Sequence, residues 1–279
     1  MSHFSLCAVI PGEQIDKINR KAVEAALETR MIPFCEDLEI SNNGTFHDQT
    51  DEARADYESN ADYQMQYPTF EDFCRKYHGY KQDSHNRWGY YYNDAATWDW
   101  YEIGGRFPEQ FLTASDNEDV LRMSEADEAK HPAPEGYRYV NAVRMKDIAW
   151  EKAFELSVAR KKEEYAKLVK AFATGDISDV DSLATISEKG IHIWGNTLYL
   201  KGESEEDYLA RTGGTSADFM PIDVYAILTR DGEWTAHGTM GWWGISTNEK
   251  PDRSWYDEIA ALAKEIQPDD ILVAVDCHI

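Results

Sequence analysis

Short, uniformly apolar runs alternate along this chain with stretches in which apolar residues recur every three or four positions. His3–Ile10 reads as a buried opening strand, stopped by Pro11-Gly12. Over Glu13–Arg30 the residues Ile15, Ile18, Ala22, Ala26 and Thr29 fall on one helical stripe. Thr69, with Glu71 and Asp72 behind it, predicts a capped helix start that turns Phe70, Phe73 and Tyr77 inward and ends at Gly79. Tyr137–Met145 reads as a strand. Asp147 is then expected to cap the longest helix, with Trp150, Phe154, Val158, Tyr165, Leu168 and Phe172 on a drifting stripe.

The C-terminal third carries hairpin signals. Gly195-Asn196 predicts a turn between Ile191–Trp194 and Thr197–Leu200, and Asp231-Gly232 turns the strand Ile222–Thr229 toward Trp234. Ser204–Arg211 reads as a short helix closed by Gly213-Gly214. Ser254 and Asp257 are expected to open the last helix, with Ile259, Leu262, Ala263 and Ile266 inward. Ile271–Val275 is apolar throughout, as a central strand is, and is expected to neighbour the first strand. The pattern dissolves over 36–67 and 108–134, which read as acidic excursions. The expectation is therefore an α+β fold, a mixed β-sheet with packed helices and an acidic helical insertion, in a single domain over 1–279.

Composition narrows the function classes. Of 279 residues, 42% are hydrophobic and 13% aromatic, which is too apolar for a disordered chain. Against 28 Lys and Arg stand 52 Asp and Glu, a formal charge of −24. That sign argues against nucleic-acid binding through a basic surface and against docking on an anionic membrane. The acidity is open to three readings: a solubilising surface, an attraction for a basic protein partner, or an imitation of nucleic acid. Cys7, Cys35, Cys74 and Cys277 form no CxxC pair, and their spacings are too wide for a zinc knuckle. With no signal peptide and no apolar run of membrane-spanning length, a cytoplasmic protein with reduced thiols is expected.

Three segments could carry chemistry. The first runs from Trp88-Gly89-Tyr90 to Trp98-Asp99-Trp100-Tyr101-Glu102-Ile103-Gly104-Gly105-Arg106. Its rings could wall a pocket, and an arginine fixed behind a Gly-Gly turn suits bidentate recognition of phosphate or carboxylate. Equally, the aromatics could cover a sheet and Arg106 pair with Asp99 or Glu102. The second, His237-Gly238-Thr239-Met240-Gly241-Trp242-Trp243-Gly244, reads as an irregular loop passing close to something, or as a tightly packed corner. In the third, Asp276-Cys277-His278-Ile279, Asp276 and His278 share one face of a strand. Asp276 could orient His278 as a base or metal ligand, with His237, His3 or a carboxylate as third group if the termini pair. Cys277 is a weaker candidate nucleophile. No phosphate-loop, GxGxxG, GxSxG, HExxH or zinc-deaminase motif is present.

Taken in order, Met1–Phe4, Trp88-Gly89-Tyr90, Trp98–Arg106, Asp231-Gly232-Glu233-Trp234, Met240–Gly244 and Asp276–Ile279 resemble a family of uncharacterised proteins from bacteriophages, prophages and bacteria, with Phe107 where many relatives have Trp. The resemblance implies a single-domain protein of mobile-element type in a bacterial host cytoplasm; it carries no activity. The leading expectation is a phage-type accessory protein, of the counter-defence kind, binding a small anionic, nucleotide-like ligand at Trp98, Trp100, Tyr101, Arg106, Trp242 and Trp243. One alternative is a hydrolase in which His278 or His237 is base or metal ligand and Asp276 the orienting group. The other is an acidic interaction protein or DNA mimic that binds a host protein. Cofactor and metal are left unassigned.

Overall fold

A computed structural model describes residues 2–193, 196–212, 224–241 and 245–279. The fold is α+β, and its frame is a mixed sheet of eight strands. In chain order these are β1 (His3–Ile10), β2 (Trp100–Ile103), β3 (Phe111–Ala114), β4 (Val120–Arg122), β5 (Tyr137–Arg144), β6 (Ala226–Leu228), β7 (Trp234–Ala236) and β8 (Ile271–His278). The strand order is β7–β6–β1–β8–β5–β3, with β2 paired to β8 and β4 paired to β5. Only the β1–β6 pair in that path is parallel; β1 and β8 run antiparallel over eight residue pairs, from His3 opposite His278 to Ile10 opposite Ile271. The apolar runs of β1 and β8 thus do neighbour each other, and both are buried on both faces, which is why neither alternates.

The chain divides into two compact units, one of residues 1–27 and 101–278 and the other of residues 28–100 with 279. In the first, Cys7, Ile227, Leu272 and Ala274 on one sheet face pack with Trp255 and Ile259 of the helix Asp252–Ala263. A second cluster joins Leu168 and Ala171 of the helix Trp150–Thr174 to Ile191, Tyr199 and Tyr208 around a small three-stranded sheet. In the other unit the sheet order is Thr45–Asp48, Trp88–Tyr92, Lys81–Gln82, and the core is built on Ala53, Phe73, Cys74 and Trp88.

Several local expectations are corrected. The first long helix starts at Arg20, because Asn19 accepts the Ala22 N–H, and its buried stripe is Val23, Leu27 and Met31. Ile15 and Ile18 are buried ahead of it, in non-helical chain. Thr69 does cap its helix, accepting from Asp72, but from Phe73 to Tyr77 the helix widens to a π-turn. That widening shifts the inward face to Phe73 and Cys74 and leaves Tyr77 exposed. Val120–Arg122 is a strand inside the stretch 108–134. Asp147 ends a 3-10 turn instead of capping, and the last helix begins at Asp252 behind Pro251. The turns at 194–195 and the glycines at 213–214 lie outside the described residues, as do residues 222–223 of the strand expected there.

Arg144, at the end of β5, ties the first unit together. Nε donates to Asp119 Oδ2 at 2.8 Å, and the two Nη atoms reach the carbonyls of Asp269, Ile15 and Asp16, each at 3.0 Å. Asp119 also accepts the Ile18 N–H at 2.8 Å. Burial alone would raise the Asp119 carboxyl, but the Ile18 N–H and the Arg144 guanidinium hold it below its usual value. Replacing Arg144 by Met takes the guanidinium donors from three carbonyls and from Asp119 Oδ2, leaving that carboxylate only the Ile18 N–H. The expected cost is about 3 kcal/mol in urea denaturation at pH 7. Because the folded carboxyl is depressed, that stabilisation is present above the unfolded value and lost as pH falls through the folded one. The gap between wild type and Arg144→Met should therefore narrow below about pH 4.

Candidate functional site

The β1–β8 register makes the candidate site. His3 lies opposite His278 and Ser5 opposite Asp276, so alternation puts these four side chains on one face, while Phe4 and Cys277 point to the other. Farther along, the same face carries Cys7, Ala274 and Leu272 into the core beneath Trp255. The polar cluster is thus the end of a core face. Asp276 is 2% exposed, and a carboxylate so buried requires partners. It has them: Oδ1 lies 2.8 Å from His3 Nδ1, and Oδ2 accepts the Arg106 backbone N–H at 3.1 Å. The His3 ring meets His278 edge-on, with centroids 5.1 Å apart. The third group for the terminal Asp-Cys-His is accordingly His3, and the carboxylate orients His3 through Nδ1, the role foreseen for His278.

Glycine is dictated at the turn that follows β2. Gly104 donates to the Ala274 carbonyl at 2.8 Å, and the turn closes when Phe107 N–H reaches the Gly104 carbonyl at 3.1 Å. Gly104 and Gly105 have φ of +82° and +54°, the left-handed region that costs L-residues strain. A Cβ on Gly105 would lie 2.4 Å from Asp276 Cβ and 2.6 Å from its Oδ2, and one on Gly104 would lie 2.5 Å from Asn141 Oδ1. The turn therefore packs directly onto the buried carboxylate. Arg106 emerges from it exposed and makes no ion pair among the described residues, so the alternative pairing with Glu102 does not form. Asn141 is a site residue that sequence reasoning missed. Its buried Oδ1 has no hydrogen bond among the described residues, and its signal is a lone amide in the otherwise apolar run 140–143.

The other predicted residues fall in different places. Tyr101, on β2, is half-buried. His237 is bound into its own loop. Its Nε2 lies 2.6 Å from the Lys250 carbonyl, its ring stacks on Trp255 at 6.1 Å, and Asp252 stands 3.6 Å away. In the second unit Trp98 is buried and its Nε1–H donates to the Met31 carbonyl, a core tryptophan with its polar atom satisfied, whereas Trp100 is 48% exposed. Trp242 and Trp243 lie outside the described residues. The Gly241 carbonyl just before them accepts from Ser2 Oγ at 3.0 Å, which brings the described start of that loop beside His3. Cys277 is corrected as a nucleophile: it is fully buried on the opposite face, and burial, with the neighbouring Asp276 charge, pushes its thiol far up.

No protein-family model, characterised protein or solved structure matches this chain. A histidine whose Nδ1 is held by a buried carboxylate has its tautomer and ring orientation set, as a general base or a ligand-binding imidazole needs. Among the described residues no group of three or more His, Cys, Asp or Glu side chains is arranged to hold a metal. Nor, among them, is any helix long and apolar enough to cross a membrane.

Two outcomes check this geometry. Gly105→Ala combines left-handed strain with a clash against Asp276 and should lower stability by about 2–4 kcal/mol in urea denaturation, whereas Gly136→Ala, with no atom within 4 Å of its Cβ, should lose only the strain part. All four cysteines are free and buried, so a thiol reagent such as dithionitrobenzoate should label none within minutes in the native protein and all four in denaturant. Rapid native labelling at Cys277 would contradict the packing of β8.

Proposed function

We propose that the chain is an accessory protein of phage type that binds a small anionic, nucleotide-like ligand at the Gly104–Gly105–Arg106 turn. One observation carries the reading. The Arg106 backbone is anchored by the buried Asp276 carboxylate, while its guanidinium makes no ion pair among the described residues of a chain with 52 acidic side chains. Exposed Arg20, Arg75, Arg87, Arg122 and Arg253 each pair with a carboxylate, whereas Arg106, like Arg54 and Arg160, makes no ion pair among the described residues. An arginine held on a rigid turn without such a pair is set up for an anion supplied from outside, and its planar fork matches phosphate or carboxylate at little ordering cost. Tyr101, three residues before the turn on β2, offers a ring for the uncharged part of such a ligand. The sequence resemblance to phage and prophage proteins supports the accessory role.

A second reading is favoured by the Asp276–His3 pair. An imidazole oriented by a buried carboxylate, beside a turn that presents an arginine, has the parts of a hydrolytic site: His3 would take a proton from water, and Arg106 would hold the anionic group on which charge develops. His278, edge-on to His3, would limit where that ring can turn.

Calorimetric titration with a panel of nucleoside 5′-monophosphates separates the readings. Wild type should bind at least one member, and Arg106→Ala should weaken it tenfold or more with an unchanged melting temperature; equal affinity in the variant would sink the proposal. If the bound nucleotide is also hydrolysed, His3→Gln should cut turnover by roughly 10²–10⁴-fold while leaving binding within about threefold. Turnover that survives His3→Gln would remove the catalytic reading and leave the binding one.

A further inference from the structure

The first unit holds a second place where positive charge converges, away from the residues of the Asp276–His3 pair. A cavity of about 280 Å³ opens beside β4 and β5, lined by Arg122, Arg138, His131, Tyr137, Tyr139 and Glu128, with buried Met123 in its wall. We propose that it is a binding site for a small phosphorylated aromatic compound.

Local structure explains why these side chains meet. The β4–β5 register shifts between Leu121 and Arg122, so that Arg122 comes opposite Val140. Irregularities of this kind re-aim a side chain that a regular ladder would send elsewhere. Tyr137 and Tyr139, at the start of β5, both belong to the lining and bring phenol rings to this end of the strand. Ser124 caps the short helix Glu125–Lys130, and that helix delivers His131 at its C-terminal end, where its Nδ1 lies 2.7 Å from Glu109 Oε1. The Pro132–Pro134 stretch then returns the chain to β5, with Ala133 in the cavity wall.

Charge decides the class of ligand. The whole chain has 52 acidic against 28 basic side chains, yet this cavity is lined by two arginines and a histidine against the single carboxylate of Glu128. Neither arginine is used up. Arg122 meets Glu118 at 3.1 Å, but both are largely exposed, and such pairs are worth little. Arg138 donates to the Ser115 carbonyl, a neutral acceptor, and makes no ion pair among the described residues. Two guanidinium forks suit a phosphate, which each can hold through paired N–H donors, while the His131 ring is already engaged by Glu109. The tyrosine wall suits a flat ring attached to that phosphate. The volume, just below the roughly 300–1,000 Å³ of ordinary ligand sites, suits a compound of one ring with one phosphate and no peptide segment.

Phenyl phosphate titrated calorimetrically into the full-length protein tests the site. Wild type should bind it more tightly than inorganic phosphate or phenol, and Arg122→Gln/Arg138→Gln should weaken binding at least tenfold. Arg106→Ala should retain the cavity's affinity, so failure here and failure of the turn site are told apart. Loss of binding in Arg106→Ala with retention in the double variant would overturn the cavity site, as would no binding at millimolar phenyl phosphate. If the double variant fails to fold, arginine modification of wild type by phenylglyoxal reads the same question: phenyl phosphate should protect Arg122 and Arg138 from it, and unprotected modification at both would overturn the proposal.

Discussion

The pairing of the first strand with the last is the constraint on which the rest of the first unit depends. β1 and β8 are joined over eight residue pairs and are buried on both faces, yet some 260 residues of chain separate them. Closing so long a loop costs entropy that no local contact returns, although the cost grows only with the logarithm of length. It also places a very non-local contact at the centre of the sheet, which predisposes such chains to slow folding. The register is as consequential as the pairing. A slip of β8 by one residue would exchange Asp276 with Cys277, sending the carboxylate to the wrong face and a thiol into the polar cluster beside His3. The same ladder that builds the core therefore builds the site.

Asp276 is costly in that position. Its burial removes hydration from a carboxylate, and two hydrogen bonds, one from His3 and one from the Arg106 backbone, offset only part of that loss. An apolar residue of similar volume would serve the sheet as well. The glycines let the turn approach it at positive φ without strain, which any other residue there would introduce. Arg144 shows the contrasting case: its bonds to Asp119 and to three carbonyls join separate segments, and no chemistry need be invoked for them. What sets the Asp276 cluster apart is a buried charge that fixes an accessible turn instead of a core segment.

Much of this could be read along the chain, because the central strands are apolar throughout and the Gly-Gly-Arg and Asp-Cys-His segments are unusual locally. The partnership between those segments could not, since it depends on which strands lie side by side: β2 joins β8 in the sheet although some 170 residues separate them. His3 entered as one of several third groups, and only the register selects it over His237, which the Lys250 carbonyl holds elsewhere. Helix starts were misplaced wherever a nearer cap or a proline decided the boundary, as at Asn19 and Pro251. Tyr77 lies outside the inward stripe because a π-turn breaks the helical period at Phe73–Tyr77. Arg122 carries no local sign, being re-aimed by a register shift, and Asn141 shows only as a lone amide in an apolar run, without a hint that the glycine turn rests against it.

The acidity of the chain bears on both anion-binding readings in the same way. At a formal −24 the long-range field repels an anionic ligand, so capture must rest on local arrangement and not on steering. Arginines bonded to buried carboxylates cannot supply it: Arg211 is held by Glu203 and Arg230 by Asp270, each also bound to a further acceptor. The groups that can are those whose backbone is fixed while their charge stays uncompensated. Such groups act within a few ångströms, where a fixed guanidinium outweighs a diffuse field that solvent and salt screen over roughly 10 Å. An acidic surface with a few such cations would keep polyanions such as nucleic acids away while still admitting a compact anion to a built site, which reconciles the overall charge with an anionic ligand.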